Sequence, residues 1–187
     1  MERKRYESYA YVLDYLPQGT SSSSRQSFKA EDLVQLIGED FFTLLEAVAK
    51  PRVVFSTHEK VYVGKEGVRD KILHIIGRIE YSDLSSTAKS ELPLVIEKII
   101  KNNEGRFLDF FNSAQTITPR MHSLELIPGI GKKYMWQILN ERERVPFKDI
   151  QDLKRRASLP DPVKLIVNRV MEELTEEPKY RLFTRLP

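Results

Sequence analysis

The chain has 187 residues, 41% hydrophobic and 30% charged, with a net charge of +3. That is room for one domain or two small ones, with the composition of a globular rather than a disordered chain. Zero cysteines exclude disulfides, thiolate zinc sites and cysteine-held iron–sulfur clusters. No apolar run approaches the roughly 20 residues needed to span a bilayer. The first residues, Met-Glu-Arg-Lys-Arg-Tyr-Glu, lack the apolar core of a signal peptide, so a cytoplasmic location is expected.

Residues 1–82 read as a β-rich domain. Residues 6–16 alternate, with Tyr9, Tyr11, Leu13 and Tyr15 on one face and Tyr6, Ala10, Val12 and Leu16 on the other. A polar run over 18–27, with four serines at 21–24, reads as a loop, and 30–37 as a short helix. Residues 41–50 form a second expected strand. Residues 53–56 and 60–63 flank a turn at Thr57-His58-Glu59, and 74–81 form another strand. Short strands with a long first connection suit a small closed barrel of the OB type.

Residues 83–118 read as connecting helices. Ser85 or Ser86 caps one that runs to Glu91, and 93–101 carries Leu94, Ile96, Ile99 and Ile100. Phe107, Leu108, Phe110 and Phe111 mark an apolar packing segment. Thr118 has the character of a cap with Pro119 at the first helical position, opening a helical domain over 119–175. Residues 176–187 form a tail, of which 180–184 alternate like a strand returning to the barrel. The fold class expected is therefore α+β.

The most informative stretch is Leu-Glu-Leu-Ile-Pro-Gly-Ile-Gly-Lys-Lys-Tyr-Met-Trp-Gln-Ile-Leu, residues 124–139. Leu124, Ile127 and Ile130 are spaced as an apolar helix stripe, Pro-Gly-Ile-Gly breaks it, and Met135, Ile138 and Leu139 resume it. The pattern resembles the helix-hairpin-helix motif, a phosphate binder without sequence preference. Gly129 and Gly131 lack a Cβ, so a phosphate can approach the backbone. The amides from Gly129 through Ile130 and Gly131 to Lys133 open a helix whose positive dipole end favours an anion, and Lys132 and Lys133 add charge there. A plain helical hairpin with a Pro-Gly turn is the structural alternative. Residues 119–187 carry 14 basic and 10 acidic side chains, against 16 and 17 before them. The excess charge thus lies on the part that holds the hairpin.

A faint repeat follows at an offset of 32: Ile127-Pro128-Gly129-Ile130-Gly131-Lys132 corresponds to Leu159-Pro160-Asp161-Pro162-Val163-Lys164. The second copy lacks both glycines and places Asp161 where a phosphate would sit, so it reads as scaffold. Phe147, Ile150, Leu153 and Ala157 would form the apolar face between the copies.

An OB-like first half followed by Leu-Glu-Leu-Ile-Pro-Gly-Ile-Gly-Lys-Lys resembles an uncharacterised archaeal family, the domain of unknown function 655. The strings at 9–19, 42–45, 69–71 and 106–112 also match, so the resemblance spans nearly the whole chain. It implies a nucleic-acid-binding protein without naming a role.

Tyr9, Tyr11 and Tyr15 are candidate stacking platforms for single-strand bases, the alternative being that they face the barrel core or a helix. Lys65 and Arg69, with Lys71 and Arg78, are candidates for a basic rim. Trp136 reads as a packing anchor of the hairpin. His58, His74 and His122 lie far apart without metal-ligand spacing, and no cofactor or metal is expected. The Pro-Gly-Ile-Gly string is shared with base-excision glycosylases, whose Schiff-base lysine would fall at Lys133. Asp149 and Asp152 fall near the place of their aspartate, but on a polar helix face rather than in a Gly/Pro-rich loop. The expectation is a non-enzymatic DNA or RNA binder. A protein-interaction module in a nucleic-acid-processing or translation assembly is the alternative, and a glycosylase/lyase a remote one.

Overall fold

A computed structural model describes residues 6–19 and 31–184. It is a mixed α+β structure in two compact units. The first comprises the chain up to Val95 together with Phe183 and Thr184, and the second is Ile96–Leu182.

The first unit is built on a curled five-stranded sheet: β1 (Tyr9–Gly19), β2 (Glu31–Gly38), β3 (Leu44–Ala49), β4 (Lys60–Tyr62) and β5 (Ile72–Arg78), in the order β4-β1-β2-β3-β5. All four pairings are antiparallel, with Tyr9 opposite Tyr62, Leu36 opposite Leu45 and Ala47 opposite Ile75. β4 and β5 are both edges, so the expected closed barrel is replaced by an open half-barrel. Its concave core holds Ala10, Val12, Val34, Leu36, Ala47 and Ile72.

Residues 31–37 were expected to be helical, and they form β2. Leu33 to Ile37 are buried on both faces, so the run has no period-2 signature to mark it as a strand. On the face away from that core, Gln35 donates to the Asp83 carbonyl at 3.0 Å and accepts from Ser85 N–H at 2.8 Å, fastening the sheet to the next helix. Residues 53–56 form no strand, and the strand expected at 74–81 occupies 72–78. The serine run at 21–24 lies outside the described residues.

Glu7 ties the β2–β3 connection together. Its buried carboxylate accepts from the backbone N–H groups of Asp40, Phe41 and Thr43 at 2.9, 3.0 and 3.1 Å. A Cβ on Gly38 would sit 2.0 Å from the Glu7 carboxyl carbon, so this clamp requires glycine there.

Ser85 accepts from Ala88 N–H at 2.9 Å and so caps α1 (Ser86–Asn102), as expected. The helix runs on past Glu91, however. Pro93 sits inside it, because the buried Leu92, Val95, Ile96, Ile99 and Ile100 maintain one apolar face across the missing N–H.

In the second unit α2 (Glu104–Ser113) buries Phe107, Leu108 and Phe111. Thr118 does not cap a helix. It ends the short strand β6 (Thr116–Thr118), which pairs with β7 (Met121–His122) around Pro119 and Arg120. A single 3-10 turn, Ser123–Leu126, follows. Then come α3 (Lys132–Arg144), α4 (Ile150–Arg156) and α5 (Pro162–Thr175).

Phe147, Ile150, Leu153 and Ala157 are buried, as expected of the face between the copies. Arg142 donates to the Phe111 and Ala114 carbonyls at 2.9 and 2.7 Å, closing the end of α2 against α3. Residues 180–184 form no strand. The buried Arg169–Glu173 pair holds this stretch instead, Glu173 accepting from Leu182 N–H at 2.6 Å and Arg169 donating to the Tyr180 carbonyl.

Candidate functional site

The turn before α3 is compact. Ile130 N–H donates to the Ile127 carbonyl at 2.9 Å, enclosing Pro128 and Gly129. Gly129 has φ +94°, the conformation that the third position of a type II turn demands. A Cβ there would also approach Leu165 Cδ2 to 2.8 Å. Gly129 is thus glycine for the sake of the fold.

Gly131 is different. Its φ of −82° suits any residue, and a Cβ would meet nothing within 4 Å. It is the N-cap of α3, supplies no side-chain acceptor, and its carbonyl accepts the first helical bond, from Met135 N–H at 3.0 Å. The N–H groups of Lys132, Lys133 and Tyr134 therefore open the helix with no cap side chain over them. Lys132 and Lys133 are exposed, and neither has an ion-pair partner among the described residues. Lys101, Arg144 and Arg155, by contrast, are engaged by Glu97, Glu141 and Asp152. Ile130 is 2% exposed and its N–H is already used, so it anchors the turn and offers nothing to a ligand. That corrects its place among the contacts.

The second copy is closed. Asp161 caps α5 by accepting from Lys164 N–H at 3.1 Å, with Pro162 at the first turn. The apolar positions keep the offset of 32, for Ile127 and Leu159, Met135 and Val167, and Ile138 and Val170 are all buried. The N-caps, Gly131 and Asp161, are 30 apart, so the second helix starts two residues early. Asp149 likewise caps α4, and Asp152 is held by Arg155 and Arg156. Both aspartates weighed for catalysis are thus engaged in the fold, and Lys133 has none of the burial that activates a Schiff-base lysine.

Trp136, expected to pack inside, is 58% exposed. Helical spacing held the clue: Met135 and Ile138 define the buried stripe of α3, and Trp136 lies about 100° round from Met135. It falls instead on the face of Lys132 and Lys133, its i−4 and i−3 neighbours.

Tyr9 and Tyr11 share a face of β1, and Tyr15 does not. The register shifts between Val12 and Asp14, and this bulge turns Tyr15 onto the core side with Ala10 and Val12, beside Phe55 at a ring distance of 5.4 Å. Tyr11 is 2% exposed, its hydroxyl directed to Glu39 at 3.4 Å. Tyr11 therefore presents no open ring face, and Tyr15 is partly buried against the core. Tyr9 remains exposed, edge-on to Tyr62 at 5.4 Å with Lys60 4.6 Å from its ring, beside an open groove along β4. Lys65 is exposed over the Tyr6 ring at 3.6 Å. Arg69 is turned inward, its Nε donating to the Val63 and Gly64 carbonyls at 3.2 and 3.1 Å, and Lys71 is paired with Glu59.

His122 is buried, and its Nδ1 accepts from Leu124 N–H at 3.1 Å, capping the 3-10 turn that leads to the Pro-Gly turn before α3. Burial, and then the nearby Arg142 guanidinium, push its pKa down. His58 Nε2 lies 2.5 Å from a Glu91 carboxylate oxygen, and His74 is exposed. No helix among the described residues is long and apolar enough to cross a membrane.

The chain is similar to the uncharacterized protein MJ0038 of Methanocaldococcus jannaschii, with 44% identity over 184 residues, 97% of this chain and 82% of that one. It is also similar in structure to Af1531 from Archaeoglobus fulgidus, seen in a crystal structure, with a TM-score of 0.86 at 45% identity. That match covers 96% of this chain and all of the other. A family model described as "Protein of unknown function (DUF655)" matches residues 6–185, and the chain belongs to that family.

Proposed function

We propose that the protein binds DNA or RNA without sequence preference and without catalysis. The turn at 127–131 with α3 would act as a helix-hairpin-helix phosphate site. Gly131 carries this reading. Among the described residues nothing calls for a glycine there, and the space in front of it, the uncapped amides of Lys132 and Lys133 and two ammonium groups without an ion-pair partner suit a phosphate oxygen approaching the backbone. Backbone contacts of this kind position a nucleic acid without reading its bases.

The strand order, with β1 between β2 and β4 and β3 between β2 and β5, supports an OB-like reading of the half-barrel. The half-barrel departs from the OB barrel in its unpaired edges and in the antiparallel pairing of β3 with β5, where the OB fold has a parallel pair. Exposed Tyr9 and Lys65 are the groups it would contribute. A protein-docking role is the second reading, and Val54 and Val68 on this unit are 79% and 84% exposed.

Titration of the whole protein against single- and double-stranded DNA and RNA at two salt concentrations separates the readings. Phosphate contacts make log affinity fall linearly with log salt by about 0.7–0.9 per contact, whereas an apolar docking surface is nearly insensitive to salt. Absence of salt-sensitive binding to any of the four ligands would overturn the proposal.

A further inference from the structure

We infer that the hairpin site takes unpaired nucleic acid, with a base next to the held phosphate stacking on the exposed indole of Trp136. The inference rests on the phosphate-binding reading above and deepens it to a ligand class. Trp136 is the chain's single tryptophan and is 58% exposed, with no hydrogen bond or ring contact to any described residue. It stands one turn into α3 on the face of Lys132 and Lys133, about 6 Å along the axis from the helix start. A nucleotide whose phosphate meets the amides of Lys132 and Lys133 has its base within reach of that ring. Two cations unpaired among the described residues, beside a bare aromatic face, match a strand that offers phosphate and base together, which a single strand does and a duplex, with its bases stacked inside, does not. An apolar protein partner would gain from the indole but not from the neighbouring ammonium groups.

Because the tryptophan is unique, its emission reports directly on the ring. Oligo(dT) and oligo(U) should quench it as they bind, and a duplex of equal length should quench it far less. Trp136→Ala should weaken single-strand binding roughly 5- to 150-fold while leaving duplex binding and the melting temperature unchanged. Trp136→Phe should restore most of the loss. If single strands bind and Gly131→Asp removes that binding, yet emission and the Trp136→Ala affinity do not move, the stacking inference is wrong and the phosphate reading stands. If no nucleic acid binds in a salt-dependent way, both fall. Emission that shifts with protein concentration alone would place Trp136 between copies of the chain and overturn the inference.

Discussion

Gly131 and Asp161 hold the same station in two helices, the N-cap of α3 and of α5, and they fill it in opposite ways. Asp161 spends a carboxylate on the backbone of its own helix, accepting from Lys164 N–H at 3.1 Å. Gly131 leaves the equivalent amides to whatever approaches from outside. The start of α5 is closed by its own side chain, and the start of α3 is left open.

The two glycines of the turn should separate on substitution. Gly129→Ala forces an alanine to φ +94° and against Leu165, and should lower stability by about 1–3 kcal/mol. Gly131→Ala should stay within about 1 kcal/mol of the parent, since the conformational entropy that alanine removes from the unfolded chain offsets its poor capping. Thermal or denaturant melts of both variants check this. Equal losses would mean that Gly131 has a structural duty the geometry does not reveal.

Lys132→Ala with Lys133→Ala should weaken nucleic-acid binding across all sequences and reduce the salt slope by about one unit per lost contact. Lys164→Ala, on the capped copy, should change little. Affinities measured at several salt concentrations give both quantities.

Tyr11→Ala should behave as a core truncation. The ring is 2% exposed, so its loss should lower stability by about 3–5 kcal/mol, the range for large aromatic-to-alanine changes. The folded fraction should bind nucleic acid like the parent. A binding defect at unchanged stability would return Tyr11 to the surface.

Acidification should loosen the second unit through His122. Its folded pKa lies below the ordinary value of 6.5, so the unfolded chain takes up the proton first. The stability that the neutral ring contributes is fully present above about 6.5 and is lost as pH falls through that value towards the lowered folded pKa. Protonation also turns the Nδ1 acceptor of Leu124 N–H into a donor. His122→Asn keeps a capping acceptor and cannot titrate, so its melting temperature should fall less than the parent's between pH 7.5 and 5.5.

Much of this was legible in the sequence, and the failures have physical causes. The Pro-Gly turn, the apolar positions around it and the Ser85 cap follow from spacing and chemistry local to a few residues. The strand β2 was not legible, because Leu33, Val34, Leu36 and Ile37 are buried on both faces, and such a run carries no alternation. The face of Tyr15 was not legible, because a bulge after Val12 that no local signal marks turns it, whereas Tyr11 keeps its expected face and is buried there. Trp136 was misassigned by residue type, a large aromatic being presumed to be inside, although its helical phase already pointed outwards. The open helix end at Gly131 was readable as a candidate. Its lack of any internal steric reason to be glycine emerged only from the packing.

The central claim is that the amides beyond Gly131 hold phosphate, and Gly131→Asp tests it most directly. An aspartate there has open space to enter and a conformation it readily adopts, and it would cap α3 as Asp161 caps α5. The variant should therefore fold at least as stably as the parent, while its carboxylate occupies and repels the anion site. Single-strand and duplex affinities measured beside the parent at low salt should both collapse, with the melting temperature unchanged or raised. A well-folded Gly131→Asp protein that binds as tightly as the parent would contradict the account.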